Sequence, residues 1–468
     1  MADSKPALPR VFAYPVRYTP RSTDAALAAT TLLLPHGFLI DGSPSGLQTT
    51  IAERLAMLQR PPADTADLFF GFLPLYGPPM STWTEDDHRL MHSMGPERED
   101  YIPISLRVRV HRMCEQLGNS TLMRTQLPHL TRRTLKRHVL VTPFVPHACD
   151  HEARLTGRPF PPRREWLSHI ILELNLDNLV SRDDIRHRRI SMPYLSSVRW
   201  SRAWQGVPPW QRPPPTERNA ALSRSHLVSF TGSLRGQPIS IQLRTRLVAS
   251  CRARAAHVCA AHVSDNFPIL APEESSDAER MSMRRALRLK LHSTFCLEPP
   301  GEIATVGMLM ALPHCMLTSS MHLDRLGSAL IALPHCMLTS LHASCLDPPG
   351  FSPPRKSSLD SMLSGCIPVF FYSDEEFASL WPFHMGGLHG WGANASVRVP
   401  LEAALDGSVD VIEYLQAVPE ARIRAMQSML AAHAHTLLYG IGPYSGDAIE
   451  TMLAALHAGL SRPARARH

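Results

Sequence analysis

The sequence predicts an α/β protein made of two units, each a parallel sheet flanked by helices. Three observations carry this expectation. Apolar strand-like runs alternate with helical stretches through the first half of the chain. A Pro-rich break follows at 207–215, and the alternation then resumes to about residue 440. With 468 residues, 44% of them hydrophobic and 19% charged, the chain is globular and too long for one ordinary core.

Taken in order, Arg10–Tyr14, Leu68–Leu73, His138–Pro143 and Leu167–Leu174 are the strand candidates of the first unit, and Thr49–Leu58 and Ile104–Leu117 show helical spacing. Val-Pro-Pro-Trp-Gln-Arg-Pro-Pro-Pro at 207–215 has too few backbone donors for a regular element and reads as a linker or the wall of a cleft. The second unit opens with the strand His226–Phe230 and holds helices over Asp277–Lys290 and Glu420–Tyr439. The expected boundaries are 1–206, a linker at 207–225, 226–440, and a C-terminal segment at 441–468 that ends in the basic tail Ser461–His468.

Composition excludes several function classes. The net charge of +7 comes from scattered Arg, without a recognition helix, an aromatic RNA-binding motif or zinc spacing, so nucleic acid is not the expected partner. Such a surface suits diphosphates and acidic glycans. The nine Cys include no Cys-x-x-Cys pair; Cys366 reads as a small core residue, and disulfides cannot be paired from sequence. The apolar stretch Ala25–Ile40 is broken by Pro35-His36-Gly37 and is too short to span a membrane.

The most informative stretch is Pro348-Pro-Gly-Phe-Ser-Pro-Pro-Arg-Lys-Ser-Ser-Leu-Asp-Ser-Met-Leu-Ser-Gly-Cys-Ile-Pro-Val-Phe-Phe371. It reads as a turn, a short helix capped by Ser357 or Ser358 and ended by Gly365, and a strand Ile367–Phe371 buried on both faces. A helix N-terminus beside Arg355 and Lys356 is a seat for a diphosphate. Asp360, one turn on, can accept hydrogen bonds from ribose hydroxyls, although an acid there also suits the helix dipole. This combination is what binding a nucleotide-sugar requires.

The same residues, written Arg355-x-Ser357-x-x-Asp360-Ser-x-x-x-Gly365-Cys-Ile-Pro-Val-Phe-Phe371, resemble the donor-binding signature of exostosin-like glycosyltransferases, above all the plant and algal members that build walls and glycoproteins. Four further blocks resemble the family in its own order: Ala63-Asp-Thr-Ala-Asp-Leu-Phe-Phe, Arg133-Thr-Leu-Lys-Arg-His-Val-Leu-Val141, Ser225-His-Leu-Val-Ser-Phe-Thr-Gly-Ser-Leu-Arg235 with Arg244 and Arg246 behind it, and Phe295-Cys-Leu-Glu-Pro-Pro-Gly301.

The resemblance implies two Rossmann-like domains facing a cleft, the GT-B architecture. It implies an enzyme that moves a hexose or pentose from a nucleotide-sugar, a UDP-sugar, to a glycan or glycoprotein acceptor with inversion at the anomeric carbon. Arg235, Arg355, Ser357 and Asp360 become the donor-binding candidates, and Gly350, Gly365 and Pro368 shape the site. No metal is required, since GT-B enzymes hold the diphosphate with basic residues, and the chain contains no Asp-x-Asp triplet.

The acceptor base is harder to assign. The family's Gly-Arg-Asp-His element reads Lys136-Arg-His138 here, so its Asp is absent; His138 is the catalytic candidate, with a core histidine as the alternative. Asp67 reads as a strand-edge residue, and Asp150 and His151 are further options without better warrant. The resemblance also implies a Golgi location behind an N-terminal signal anchor. None is read in this sequence, which leaves two expectations open: a missing N-terminus, or a protein that is not a conventional Golgi resident. The sequons Asn119-Ser-Thr121 and Asn394-Ala-Ser396 fit a lumenal protein.

One feature departs from the family. Ala311–Ser319 recurs identically as Ala332–Ser340, and the Cys-Leu-x-Pro-Pro-Gly element at 296–301 recurs at 345–350. Two copies do not make a solenoid. Residues 302–343 read as an insertion within one functional element, produced by a local duplication or a misjoined exon. His314 and His335 are copies of one segment and do not make a metal site. The split donor loop and the altered Gly-Arg-Asp-His element leave an alternative open, a catalytically inactive protein that binds a glycan or a protein partner.

Overall fold

A computed structural model describes residues 8–13, 55, 62–72, 85, 89, 127–131, 133–134, 137–141, 172–175, 189–193, 196–198, 207–211, 224–234, 238–264, 277–300, 355–440 and 446–460. The described chain is α/β, with two five-stranded parallel sheets.

The first sheet holds β1 (Val11–Ala13), β2 (Leu68–Phe72), β3 (His138–Val141), β4 (Leu172–Asn175) and β5 (Arg189–Ser191), in that order and parallel throughout. All four strands expected from sequence in this part form, each shorter than its apolar run. Leu68 and Phe70 are buried beside Val11 and Val139. The helices expected over Thr49–Leu58 and Ile104–Leu117 lie outside the described residues, apart from the buried Leu55.

The second sheet holds β6 (His226–Gly232), β7 (Cys259–Val263), β8 (Ser293–Glu298), β9 (Ile367–Phe370) and β10 (Val397–Arg398), in the order β10-β9-β8-β6-β7 and again parallel. Among the described residues α1 (Pro238–Arg252) follows β6, α2 (Asp277–Leu291) follows β7 and α3 (Lys356–Leu363) precedes β9. Every residue of β9 is buried, as the run Ile-Pro-Val-Phe predicts for a strand covered on both faces. β10 pairs only with Val369 and Phe370, so Pro368 occupies the part of β9 that has β8 alone as a described neighbour. That is where a residue without an N–H is tolerated.

Two expectations need correction. The helix read over Glu420–Tyr439 is α4 (Glu420–His433) followed by a 3-10 turn, Ala434–Leu437. Thr436 Oγ1 donates to the His433 carbonyl at 2.9 Å as the chain tightens, and Tyr439 leaves the helix to donate from its hydroxyl to the Pro193 carbonyl at 2.7 Å. The Pro-rich stretch also contains a regular element, the 3-10 turn Pro209–Gln211, which needs few N–H donors. Its Trp210 is buried with Leu287, Leu363 and Leu438.

The last helix, α5 (Ala448–Leu460), starts at Asp447, whose carboxylate accepts from the N–H groups of Ile449 and Glu450. Ile449, Met452, Leu453 and Leu456 fall on one face and share a core with Val11, Leu68, Phe70 and Val139 of the first sheet. No helix among the described residues is long and apolar enough to cross a membrane.

Candidate functional site

In an open parallel sheet, ligands bind beyond the carboxyl ends of the strands, where the strand order reverses. In the second sheet the reversal falls between β6 and β8. From β6 the chain runs outward to β7, then returns to place β8 on the other side of β6. The candidate site is therefore the end of β6 at Gly232, the end of β8 at Glu298, and the segments that follow them.

Arg355 stands over this crevice. It is the N-cap of α3, in an extended conformation (φ −129°, ψ 139°), and its Nη1 donates to the Pro299 carbonyl at 2.5 Å. A Cβ placed on Gly232 would come within 4.0 Å of Arg355 Nη2, so the guanidinium lies directly beyond β6. Arg244 approaches from α1. It is 2% exposed, and it donates from Nη2 to the Pro300 carbonyl at 2.7 Å and from Nη1 to the Ser233 carbonyl at 3.4 Å. Two arginines thus hold the consecutive carbonyls of the Pro299-Pro300 pair, and one of them also ties down the segment after β6.

Tyr372, just after β9, is buried against the same charges. Burial pushes its phenol up; the fields of Glu298 and Glu376 add to this, while Arg355 and Arg244 oppose it. The hydroxyl stays neutral and able to donate at any physiological pH.

The start of α3 differs from expectation. Neither Ser357 nor Ser358 caps the helix; both lie inside its first turn, and Ser358 N–H donates to the Arg355 carbonyl at 3.1 Å. Ser357 Oγ accepts instead from Lys290 Nζ at 2.8 Å, and Ser358 is buried. The end of the helix is as expected. Gly365 has φ +69°, with its N–H bonded to the Met362 carbonyl and the Cys366 N–H to the Ser361 carbonyl. This paired closure favours glycine.

Asp360 is 7% exposed and its carboxylate is filled from within the protein. Oδ1 accepts from Ser196 Oγ at 2.6 Å and from Ser197 N–H at 2.7 Å, and Oδ2 meets Lys356 Nζ at 3.3 Å. Lys356 Nζ also contacts Ser197 Oγ. Helix α3 is thereby bonded to the segment just beyond β5.

Beneath α3 lies a second buried group, Lys290 of α2 paired with Glu298 of β8 at 2.7 Å. Sequence reading missed both residues. Cys366 is not a free core thiol but is bonded to Cys296, and a second disulfide joins Cys251 to Cys259.

His138 opens β3 and is 1% exposed. Its ring stacks on Phe69 with centroids 4.8 Å apart, and Nδ1–H donates to the Thr134 carbonyl at 2.8 Å. Burial, aided by the fields of Arg137 and His129, lowers its pKa to about 4. Asp67 accepts from the Arg10 backbone N–H at 2.8 Å and pairs with the Arg10 side chain at 3.1 Å, a tie between β1 and the start of β2. Arg235, Gly350, Asp150 and His151 lie outside the described residues, as do 302–343 with His314 and His335. Among the described residues no group of three His, Cys, Asp or Glu side chains could hold a metal.

No family model matches the chain. Part of it is similar to plant galactosyltransferases. It is 30% identical over 95 residues to a probable xyloglucan galactosyltransferase GT19 of Arabidopsis thaliana, covering 20% of this chain and 21% of that protein. It is 33% identical over 96 residues to the probable xyloglucan galactosyltransferase GT13 of the same plant, covering 20% and 19%. The xyloglucan galactosyltransferase MUR3, also of Arabidopsis thaliana, is 30% identical over 95 residues, covering 20% and 15%. The match thus spans between 15% and 21% of the length of these relatives. Partial as they are, these likenesses support a distant relationship to glycosyltransferases over the part of the chain they cover.

Proposed function

We propose that the chain is a glycosyltransferase that moves a sugar from a nucleotide-sugar, a UDP-sugar in our reading, to a glycan or glycoprotein acceptor. The observation that carries the reading is the Arg355 guanidinium, set over the β6/β8 crevice at the N-terminus of α3 with Lys356 beside it. Among the described residues no carboxylate pairs with Arg355, which suits a group waiting for phosphate. The similarity to xyloglucan galactosyltransferases supplies the reaction class.

In this proposal the two sheets belong to a GT-B arrangement, with the donor on the second and the acceptor on the first. As the bond from the anomeric carbon to the leaving phosphate oxygen breaks, charge grows on the diphosphate. Arg355 and the helix N-terminus stabilise that charge without a metal, while Lys356 is engaged by Asp360 and Ser197. In the same reading Arg235 binds the donor and Gly350 shapes its site, although both lie outside the described residues. A single displacement inverts the anomeric carbon and requires a base for the acceptor hydroxyl. His138 suits that role poorly, because its buried imidazole is a weak base and packs on Phe69. Asp360 serves the site by holding α3 in place, since its oxygens are engaged by Ser196, Ser197 and Lys356. The enzyme would work in the Golgi lumen.

The test is binding of a UDP-sugar panel, by calorimetry and thermal shift, to the parent chain and to Arg355→Ala. One donor should stabilise the parent, and the substitution should abolish that response. A cooperatively folded parent that binds no donor would remove the enzyme reading and leave a glycan- or protein-binding role.

A further inference from the structure

Lys290, in the last turn of α2, and Glu298, the last residue of β8, have side chains only 3% and 1% exposed. The three protons of the Lys290 ammonium meet four oxygens: Glu298 Oε1 at 2.7 Å, Ser361 Oγ at 2.6 Å, and the Oγ and carbonyl of Ser357 at 2.8 and 2.9 Å. Ser361 Oγ in turn donates to Glu298 Oε1 at 2.5 Å.

These contacts close a ring around the candidate site. Glu298 is followed by Pro299, whose carbonyl takes Arg355 Nη1. Arg355 runs through Lys356 to Ser357, Ser357 accepts from Lys290, and Lys290 returns to Glu298. The roots of the donor loop, at 298–300 and 355–357, are thereby fixed to each other from below.

Stability alone is a weak reason for such a pair. Withdrawing two charges from water costs about what their attraction returns, and an apolar pair of similar volume holds a core as well or better. Glu298 Oε2 adds to the cost, being buried with no hydrogen-bond partner among the described residues. An apolar pair lacks direction, however. It could not fix the Ser357 carbonyl and hydroxyl, and so could not set the rotation of the first turn of α3.

We infer that Lys290 and Glu298 are positioning residues for the donor site, orienting the first turn of α3 against the end of β8 so that Arg355 is held ready for a diphosphate. This rests on the nucleotide-sugar reading above.

The test measures UDP binding by calorimetry, and cooperative unfolding, on the full chain in four forms: parent, the double variant Lys290→Met with Glu298→Leu, Glu298→Gln, and Arg355→Ala. The double variant should unfold at about the parent's midpoint yet bind UDP at least about tenfold more weakly, because a small misplacement of a charged clamp costs that much. Glu298→Gln keeps the shape and one acceptor for Lys290 and should show a smaller rise in the dissociation constant. A folded double variant that binds UDP like the parent overturns the inference. If the double variant does not fold, Glu298→Gln binding like the parent overturns it equally. A parent that binds no UDP instead sinks the nucleotide-sugar reading, and this inference with it.

Discussion

Asp360 Oδ1 accepts the Ser197 backbone N–H at 2.7 Å across 163 residues of sequence. With Ser196 Oγ on the same oxygen, the bond ties α3 to the chain just beyond the first sheet. A carboxylate expected to meet a ribose is thus spent on holding α3. Asp360→Ala should leave the Ser197 N–H buried without its acceptor and cost about 2–3 kcal/mol of unfolding free energy. Denaturant titration of parent and variant checks this; an unchanged midpoint would show that the bond contributes nothing.

Stability should fall as pH is lowered from about 6.5 to about 4. Burial lowers the imidazole of His384 to about 4, only partly opposed by its bond to the Ala448 carbonyl, and His138 is lowered to the same range. In the unfolded chain both take up protons near 6.5. The unfolded chain therefore binds more protons between these limits, and their full contribution is present only above about pH 6.5. Each should account for a loss on the order of 2–3 kcal/mol by pH 4. Asp67, held below the usual carboxylate range by its hydrogen bond from Arg10, acts only at lower pH, so the windows separate. Unfolding free energy measured against pH, in the parent and with both histidines replaced by Gln, should show the slope and then its loss.

The legible parts of the fold were those with a strong local pattern. β9 announced itself as an apolar run behind Gly365, and β6 as His-Leu-Val-Ser-Phe-Thr-Gly. β7, Cys-Ala-Ala-His-Val, has neither alternation nor a β-branched run, and β10 is two residues long, so neither is visible before its neighbours are placed. The site divides the same way. Arg355 and Gly365 follow from a motif, and Arg244 from its place behind the block that opens the second unit. Lys290 is one of several cations on α2; only the register of α2 against β8 and α3 makes it the buried one. Ser196 and Ser197 carry no signal at all, because their partner is distant in sequence.

Gly365→Ala should be costly for two reasons acting together. The backbone is left-handed, at φ +69°, which an L side chain adopts only with strain. The added Cβ would also stand 2.9 Å from the Pro209 carbonyl oxygen and 2.7 Å from Arg224 Nη2. The arginine can swing away, but the backbone of the buried Trp210 turn cannot. The expected loss is roughly 2–4 kcal/mol. Gly387→Ala is the control, with φ +63° and its nearest neighbour at 3.9 Å, so it should show the backbone strain alone, about 1 kcal/mol. Equal losses for the two would mean that the contact with Pro209 and Trp210 is not felt.

The two disulfides should differ in what they contribute. Cys296–Cys366 links β8 to the residue before β9 across a sequence separation of 70, and the chain between them contains Pro299, Arg355 and α3. Cys251–Cys259 closes a separation of only 8, from the last turn of α1 into β7. If a crosslink acts mainly by restricting the unfolded chain, the first contributes about 4 kcal/mol and the second about 2.5 kcal/mol. Replacing each pair by Ala, which suits these buried positions, isolates the effects in denaturant titrations. The Cys296/Cys366 variant should lose more stability, and in the proposed reading its UDP affinity should weaken as well, because the crosslink braces β8, which ends at Glu298, against the segment that follows α3. A larger loss from removing Cys251–Cys259 would overturn the chain-entropy account and point to packing at the end of α1 as the dominant effect.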